Sequence, residues 1–303
     1  MLIIKCSKNL SSGRTKIKSK IQFIVDSTVD LTEELYETYN FVKLPLYVTI
    51  DGKTYRDTPE ELSNKKLFEI MEETKTLPKT SAATPADFLE EFKKAEKNGY
   101  EAIIITGISS TLSGTIQSAT IAIEMYKGPL DIRIVDSLNL STGSGLIAIF
   151  GSDYAKTDHN LDEVVAYMES LVPRVRTQFI VESLDIIYRG GRISSAKYLL
   201  GKIFNAHPFI QVINGKLEVT ATPKGKLMRA LNHQYSVFKK DFKKGILNDH
   251  VFITHAVAEE SVRYYCKKMK DKLPHGALKV TETGSVISAH CGPGTIGITY
   301  IVK

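Results

Sequence analysis

No stretch of these 303 residues approaches the roughly 18 consecutive apolar residues that a membrane-spanning helix requires. The N-terminus offers only Leu2, Ile3 and Ile4 as an apolar cluster, too short for the core of a secretory signal. Cysteine is scarce. Cys6, Cys266 and Cys291 are odd in number, widely spaced and without a CxxC pair, which speaks against a disulfide scaffold or a zinc site and fits a reducing cytoplasm. Chemistry-bearing signatures are missing too. There is no Walker A loop, no GxSxG nucleophile elbow, no HExxH and no clustered His/Asp set, so the sequence announces neither nucleotide hydrolysis, serine acyl transfer nor a resident metal. Asp26 and Asp30 lie four apart but lack the Asp-x-Asp spacing of aspartyl-phosphate enzymes. The expectation is a cytoplasmic chain with no integral membrane segment, no metal, no cofactor and no catalytic residue.

The formal charge is +6, and its location decides what it means. Lys5, Lys8, Arg14, Lys16, Lys18 and Lys20 face no acid in residues 1–20, and the remainder holds 34 bases against 34 acids. A nucleic-acid binder carries its basic stripe on a folded face, whereas this excess sits in a Ser/Lys-rich leader whose composition predicts disorder. Nucleic acid is therefore not an expected partner.

Ile21–Val25, Ala102–Ile105, Ile132–Val135 and Phe179–Val181 are short apolar runs, each ending in hydroxyl or acidic residues. Such runs suit parallel strands buried on both faces. Helical periodicity over Pro85–Lys97, Ser113–Tyr126, Ser144–Lys156 and Leu161–Leu171 separates them, which predicts an α/β domain over 21–173 with a doubly wound parallel sheet. Beyond it, Asn214-Gly215 between Phe209–Ile213 and Leu217–Thr222 signals a hairpin. A helix over Lys224–Lys243, a strand over Val251–His255, a helix over Glu259–Lys272 and a last strand over Gly297–Val302 follow. The second half, 174–303, reads as an α+β domain. Ligands of doubly wound sheets bind beyond the carboxyl ends of the strands, where the topology switches, so a ligand is expected in the cleft between the domains.

Four polar segments compete for that role. Ile108–Ala119 leaves a buried strand, supplies hydroxyls and opens a helix, with Ser113 at the expected N-cap and Gly114 admitting a ligand to the backbone. Unpaired N–H groups and the helix dipole make this an anion site, unless Ser113 simply caps its own helix; spacing alone leaves both open. The loop carries no Lys, so a carboxylate suits it better than a triphosphate. Thr80-Ser81 leads into a second helix and reads, alone, as a helix approach. Arg189-Gly-Gly-Arg192 can present the planar guanidinium of Arg192 to a carboxylate, and His290 is displayed by a turn rich in glycine and proline.

Together these segments resemble the DegV family of bacterial fatty-acid-binding proteins, which includes the binding subunits of fatty acid kinase. The resemblance runs from Ile21 to Val302 and rests on Val25-Asp26-Ser27, Thr80-Ser81, Ser110–Ala119, Val135-Asp136-Ser137, Gly190–Ser194 and His290–Thr295. It implies a long-chain fatty acid whose carboxylate is held by the hydroxyls of Thr80 and Ser113, with Arg192 and His290 nearby and the tail in a buried tunnel. It also implies a separate kinase subunit that phosphorylates the bound carboxylate. The sequence departs from the family at Thr80-Ser-Ala-Ala-Thr-Pro, where Gln and Pro usually follow Thr-Ser. Two other readings stand beside this one: an acyl-transfer enzyme with Ser113 as nucleophile and His290 as base, and a regulator binding another small carboxylate.

Overall fold

A computed structural model describes residues 20–194 and 205–303. The leader, apart from Lys20, lies outside the described residues. The N-terminal half runs β1 (Ile21–Asp26), α1 (Glu33–Tyr39), β2 (Val42–Leu44), β3 (Tyr47–Ile50), β4 (Lys53–Arg56), α2 (Asn64–Thr74), β5 (Lys79–Ser81), α3 (Pro85–Lys97), β6 (Ala102–Thr106), α4 (Thr115–Met125), β7 (Asp131–Ile134), α5 (Thr142–Ala155) and α6 (Leu161–Leu171). Strands β2, β1, β6 and β7 form a parallel sheet in that order. Its apolar runs serve both faces. Phe23, Val25 and Ile104 pack with residues of α5 and α6, while Ile24, Ile103 and Ile105 pack with those of α3 and α4. Helix α3 begins where Thr84 and Asp87 form a reciprocal capping box with Pro85 at the first turn, the arrangement that satisfies free N–H groups and pre-sets φ.

The second half runs β8 (Val175–Ile180), α7 (Asp185–Arg189), β9 (Phe209–Ile213), β10 (Lys216–Ala221), α8 (Leu227–Lys244), β11 (Ile246–Ala256), α9 (Glu259–Met269), β12 (Leu278–Glu282), α10 (Ser285–Cys291) and β13 (Thr295–Val302). Its sheet order is β10-β9-β8-β13-β11-β12, antiparallel except for β11 against β12. The hairpin turns at Asn214 and Gly215, both with φ near +50° to +80°, as a tight two-residue turn requires. Helix α8 lays Ala230, Leu231 and Phe238 on one face of this sheet; α5 of the first half lies near β8 and β13. Among the described residues no helix is long and apolar enough to cross a membrane.

Three findings differ from expectation. His290, read as displayed by a turn, lies in the last turn of helix α10, and the Gly-Pro segment begins only at its C-cap, Gly292. The run Phe179–Val181 reads like the parallel strands before it, yet β8 pairs antiparallel with both β13 and β9. A continuously buried strand looks the same in either kind of sheet, because both its faces are covered. The antiparallel sheet β4-β3-β5 was not anticipated, although Asp51-Gly52, with φ of 48° and 72°, is the turn signal that marks it.

Candidate functional site

The parallel sheet changes direction between β1 and β6. There Gly107 is required by packing: a Cβ would lie 2.0 Å from Asp26 Oδ2. Asp26 accepts from the Ile108 N–H at 2.9 Å and from the Thr28 N–H at 3.0 Å. Burial pushes its carboxyl up to about 6 despite those bonds. The chain thus leaves β6 clamped to β1, and Ile108, Leu112, Ser113 and Gly114 are directed over the inner face of the second sheet.

A cavity of about 310 Å³ lies between the two halves, at the lower end of the about 300–1,000 Å³ typical of ligand sites. Its walls are mainly apolar, with Leu46, Ile108, Leu112, Phe179, Ile187 and Leu217 among them. Thr80, Ser113, Gly114, Arg192 and His290 all line it, so the structure gathers every residue singled out from sequence. Thr80 Oγ1 and His290 Nε2 are 2.8 Å apart. Arg192 Nε donates to the Leu112 carbonyl at 3.2 Å and its terminal nitrogen donates to the Gly190 carbonyl, which ties the guanidinium to the residue preceding Ser113. Gly190 has no room for a side chain, since a Cβ would sit 2.4 Å from His290 Nδ1; the glycine lets α7 seat the imidazole.

Ser113 differs from its expected position by one residue. Gly114 occupies the cap of α4 and offers no side chain. Ser113 Oγ instead accepts from the Thr115 N–H at 3.3 Å and lies 2.9 Å from Thr115 Oγ1. It both serves the helix start and faces the cavity. A Cβ on Gly114 would meet nothing within 4 Å, so the space before the backbone is open. Ser113 and His290 are not hydrogen-bonded to each other; the imidazole is bonded to Thr80. The nucleophile–base contact of an acyl-transfer site is therefore not formed. Cys291 also lines the cavity, but burial pushes its thiol up to about 12, leaving it a poor nucleophile.

The electrostatics are lopsided. Arg192 is half-buried, and burial lowers its pKa with no carboxylate acting on it. The residues outside the description, 1–19 and 195–204, contain no Asp or Glu, so none of them is a counter-ion. Burial, assisted by the positive charge of Arg192, pushes His290 down to about 4. The ring is neutral at pH 7 and presents a hydrogen-bonding group rather than a second cation.

That shift has a measurable consequence. Below pH 6.5, the ordinary histidine value, the unfolded chain takes up a proton that folded His290 refuses until about pH 4. Stability is therefore lost as pH falls, by about 2 kcal/mol between pH 7 and 5 from this group. Asp26 acts oppositely in the same range, because its raised carboxyl is protonated in the fold first. A difference measurement separates them. His290→Asn is expected to lose less stability than the wild type when denaturant melts at pH 7 and 5 are compared; parallel losses would show that His290 is not held neutral.

Several residues that build the site escaped the sequence reading. Asp57 accepts from Ser27 Oγ and Ser285 Oγ, each at 2.7 Å, and from the Val286 N–H at 3.2 Å. Asp30 accepts from the Gly284 N–H at 2.7 Å and from Ser141 Oγ. Two buried carboxylates thereby pin the start of α10, and with it His290, to the N-terminal half. Asp57 carried no local signal, because its partners lie 30 and 228 positions away. The structure also brings His255, Glu259 and Glu282 within 4.8 Å of one another. No spacing in the sequence shows this, and with both glutamates exposed it is an ordinary surface acid cluster.

Comparison with known proteins fits this geometry. The model of the DegV family, whose description is that of uncharacterised proteins, matches residues 20–303. A DegV domain-containing protein of Caldanaerobacter subterraneus is 29% identical over 287 residues, covering 94% of this chain and 99% of that one. A solved DegV family protein from Thermus thermophilus, described as fatty acid binding, superposes with a TM-score of 0.85 at 28% identity and covers 93% of this chain and 99% of its own. DegV of Bacillus subtilis, described as a fatty acid binding protein, superposes with a TM-score of 0.83 at 27% identity, with coverages of 93% and 99%.

Proposed function

The chain belongs to the DegV family, and from that premise we propose that its cavity holds a long-chain fatty acid, with the carboxylate among Thr80, Ser113, the Gly114 backbone, Arg192 and His290. The observation that carries this reading is Arg192: a half-buried guanidinium without a carboxylate partner at the edge of an apolar cavity. A buried unpaired charge is costly, and a ligand that brings one anionic head and a long apolar body satisfies both features. Each buried methylene contributes about 0.8 kcal/mol, so fourteen contribute on the order of 11 kcal/mol before ordering costs. The head groups need only offset the several kcal/mol that the carboxylate loses on leaving water. The tail supplies affinity and the polar groups supply orientation.

The chain carries out no covalent step by itself in this reading. It presents the carboxylate to a separate kinase subunit, which makes the acyl phosphate; Arg192 balances the charge of the carboxylate and then of the acyl phosphate. The scarcity of cysteine fits a cytoplasmic setting. Protein produced in bacteria is expected to carry roughly one fatty acid per chain through purification. Solvent extraction followed by mass spectrometry checks this. Repeated lipid-free preparations that also fail to bind added palmitate or oleate would refute it.

A further inference from the structure

Strand β13 is paired on both sides, with β8 and with β11. Its side chains alternate between two faces. Ile296, Ile298 and Tyr300 lie in the core shared with α8 and α9, whereas Thr295, Gly297 and Thr299 line the cavity. Gly297 stands out in that row. Glycine weakens the interior of a strand, because it gives up the most chain entropy on folding and packs no side chain. Where it persists there, a bulge, a positive φ or a close approach accounts for it. The first two do not apply. The register runs without a shift from Thr295 to Ala256 through Thr299 to Phe252 against β11, and from Ile296 to Ile301 against β8. The φ of Gly297 lies outside the left-handed region. Nor do its neighbours crowd it. A Cβ there would meet the Gln178 carbonyl oxygen at 3.5 Å, and Phe179 Cβ and the Thr254 carbonyl oxygen at 3.6 Å, which is ordinary contact within its own sheet. No atom of the facing wall comes nearer. The fold therefore has room for a side chain at Gly297, and that side chain would project into the cavity.

We propose that the ligand's tail crosses the sheet at Gly297, and that the missing side chain sets the length of acyl chain the cavity accepts. Thr295, whose hydroxyl donates to the Cys291 carbonyl at 2.9 Å, marks the His290 end of the row. Gly297 lies about 7 Å further along the extended strand, and Thr299 about 7 Å beyond that. A tail whose carboxylate sits beside His290 and which runs toward Thr299 lies across bare backbone at Gly297. A branched side chain there closes the passage part way, so that short chains fit in front of it and long ones do not.

This inference rests on the reading that the cavity holds a fatty acid, and the experiment separates the two. Delipidated full-length wild type, Gly297→Ala and Gly297→Val are melted without lipid and then titrated with the even-numbered saturated acids from octanoate to stearate. Wild-type affinity is expected to rise about fourfold with each methylene that the cavity buries. Gly297→Val is expected to follow the wild type for the short acids and then to stop gaining, so that it binds palmitate about tenfold more weakly or worse. Gly297→Ala should fall between the two. Without lipid, neither variant should melt below the wild type, since both residues suit a strand interior better than glycine. Affinities of Gly297→Val that match the wild type at every length overturn the proposal, because no tail then passes over this position. A uniform loss at every length also overturns it, since the change would then act on the carboxylate end. Variants that melt well below the wild type overturn it as well, because the sheet itself would then require the glycine. A wild type that binds none of these acids sinks the fatty-acid reading along with it.

Discussion

Ser113→Ala is expected to bind palmitate about ten- to hundredfold more weakly, the loss that follows from removing one hydrogen bond to a charged oxygen, worth about 1.5–3 kcal/mol. The structure makes the variant informative, because the hydroxyl has two employments. It faces the cavity, and it accepts from the Thr115 N–H at the start of α4. The second role is worth about 1 kcal/mol of helix stability and is shared with the open helix end. Calorimetric titration and a thermal melt of the same preparation keep the two apart. A dissociation constant that rises about ten- to hundredfold with little change in melting supports the carboxylate contact. An unchanged dissociation constant with a lowered transition assigns Ser113 to the helix alone.

Arg192→Ala and His290→Ala are expected to separate holding the lipid from presenting it. Since the tail supplies most of the affinity, both variants should still purify with fatty acid, while acyl-phosphate production with a partner kinase falls tenfold or more. For Arg192 the loss has two parts: the positive charge, and the bond from Nε to the Leu112 carbonyl that positions the residue before Ser113. Arg192→Lys keeps the charge without the planar fork, so it should recover only part of the turnover. For His290 the loss leaves Thr80 Oγ1 without its 2.8 Å partner and removes a neutral ring that burial holds near a pKa of 4. Lipid content and turnover are measured side by side. If both fall in equal proportion, these residues are simple ligand contacts and the division of labour is wrong.

The elements that could be read locally share one property: their cause lies within a few residues. The start of α3 at Pro85, the Asn214-Gly215 turn and the run Ala102–Ile105 each carry a short-range signal, and each stands where it was expected. Thr80 and Gly114 lie at a strand end and a helix start that those signals indicate. Ser113 is displaced by one position from the cap because Gly114 takes the non-helical place before Thr115, a choice that a run of small polar residues leaves open.

What composition and periodicity determined unaided was a two-part α/β chain with hydroxyl-rich loops at the strand ends, no spanning helix and no nucleotide or metal signature. Hydrophobic period and turn chemistry suffice for that, since both act between near neighbours. Tertiary structure decided the rest. It set β8 antiparallel, joined Asp57 to Ser285, left Arg192 without an acid and held His290 neutral. Each of these depends on which distant groups share one buried space. Desolvation and hydrogen-bond satisfaction are properties of that space, so no local pattern in the chain encodes them.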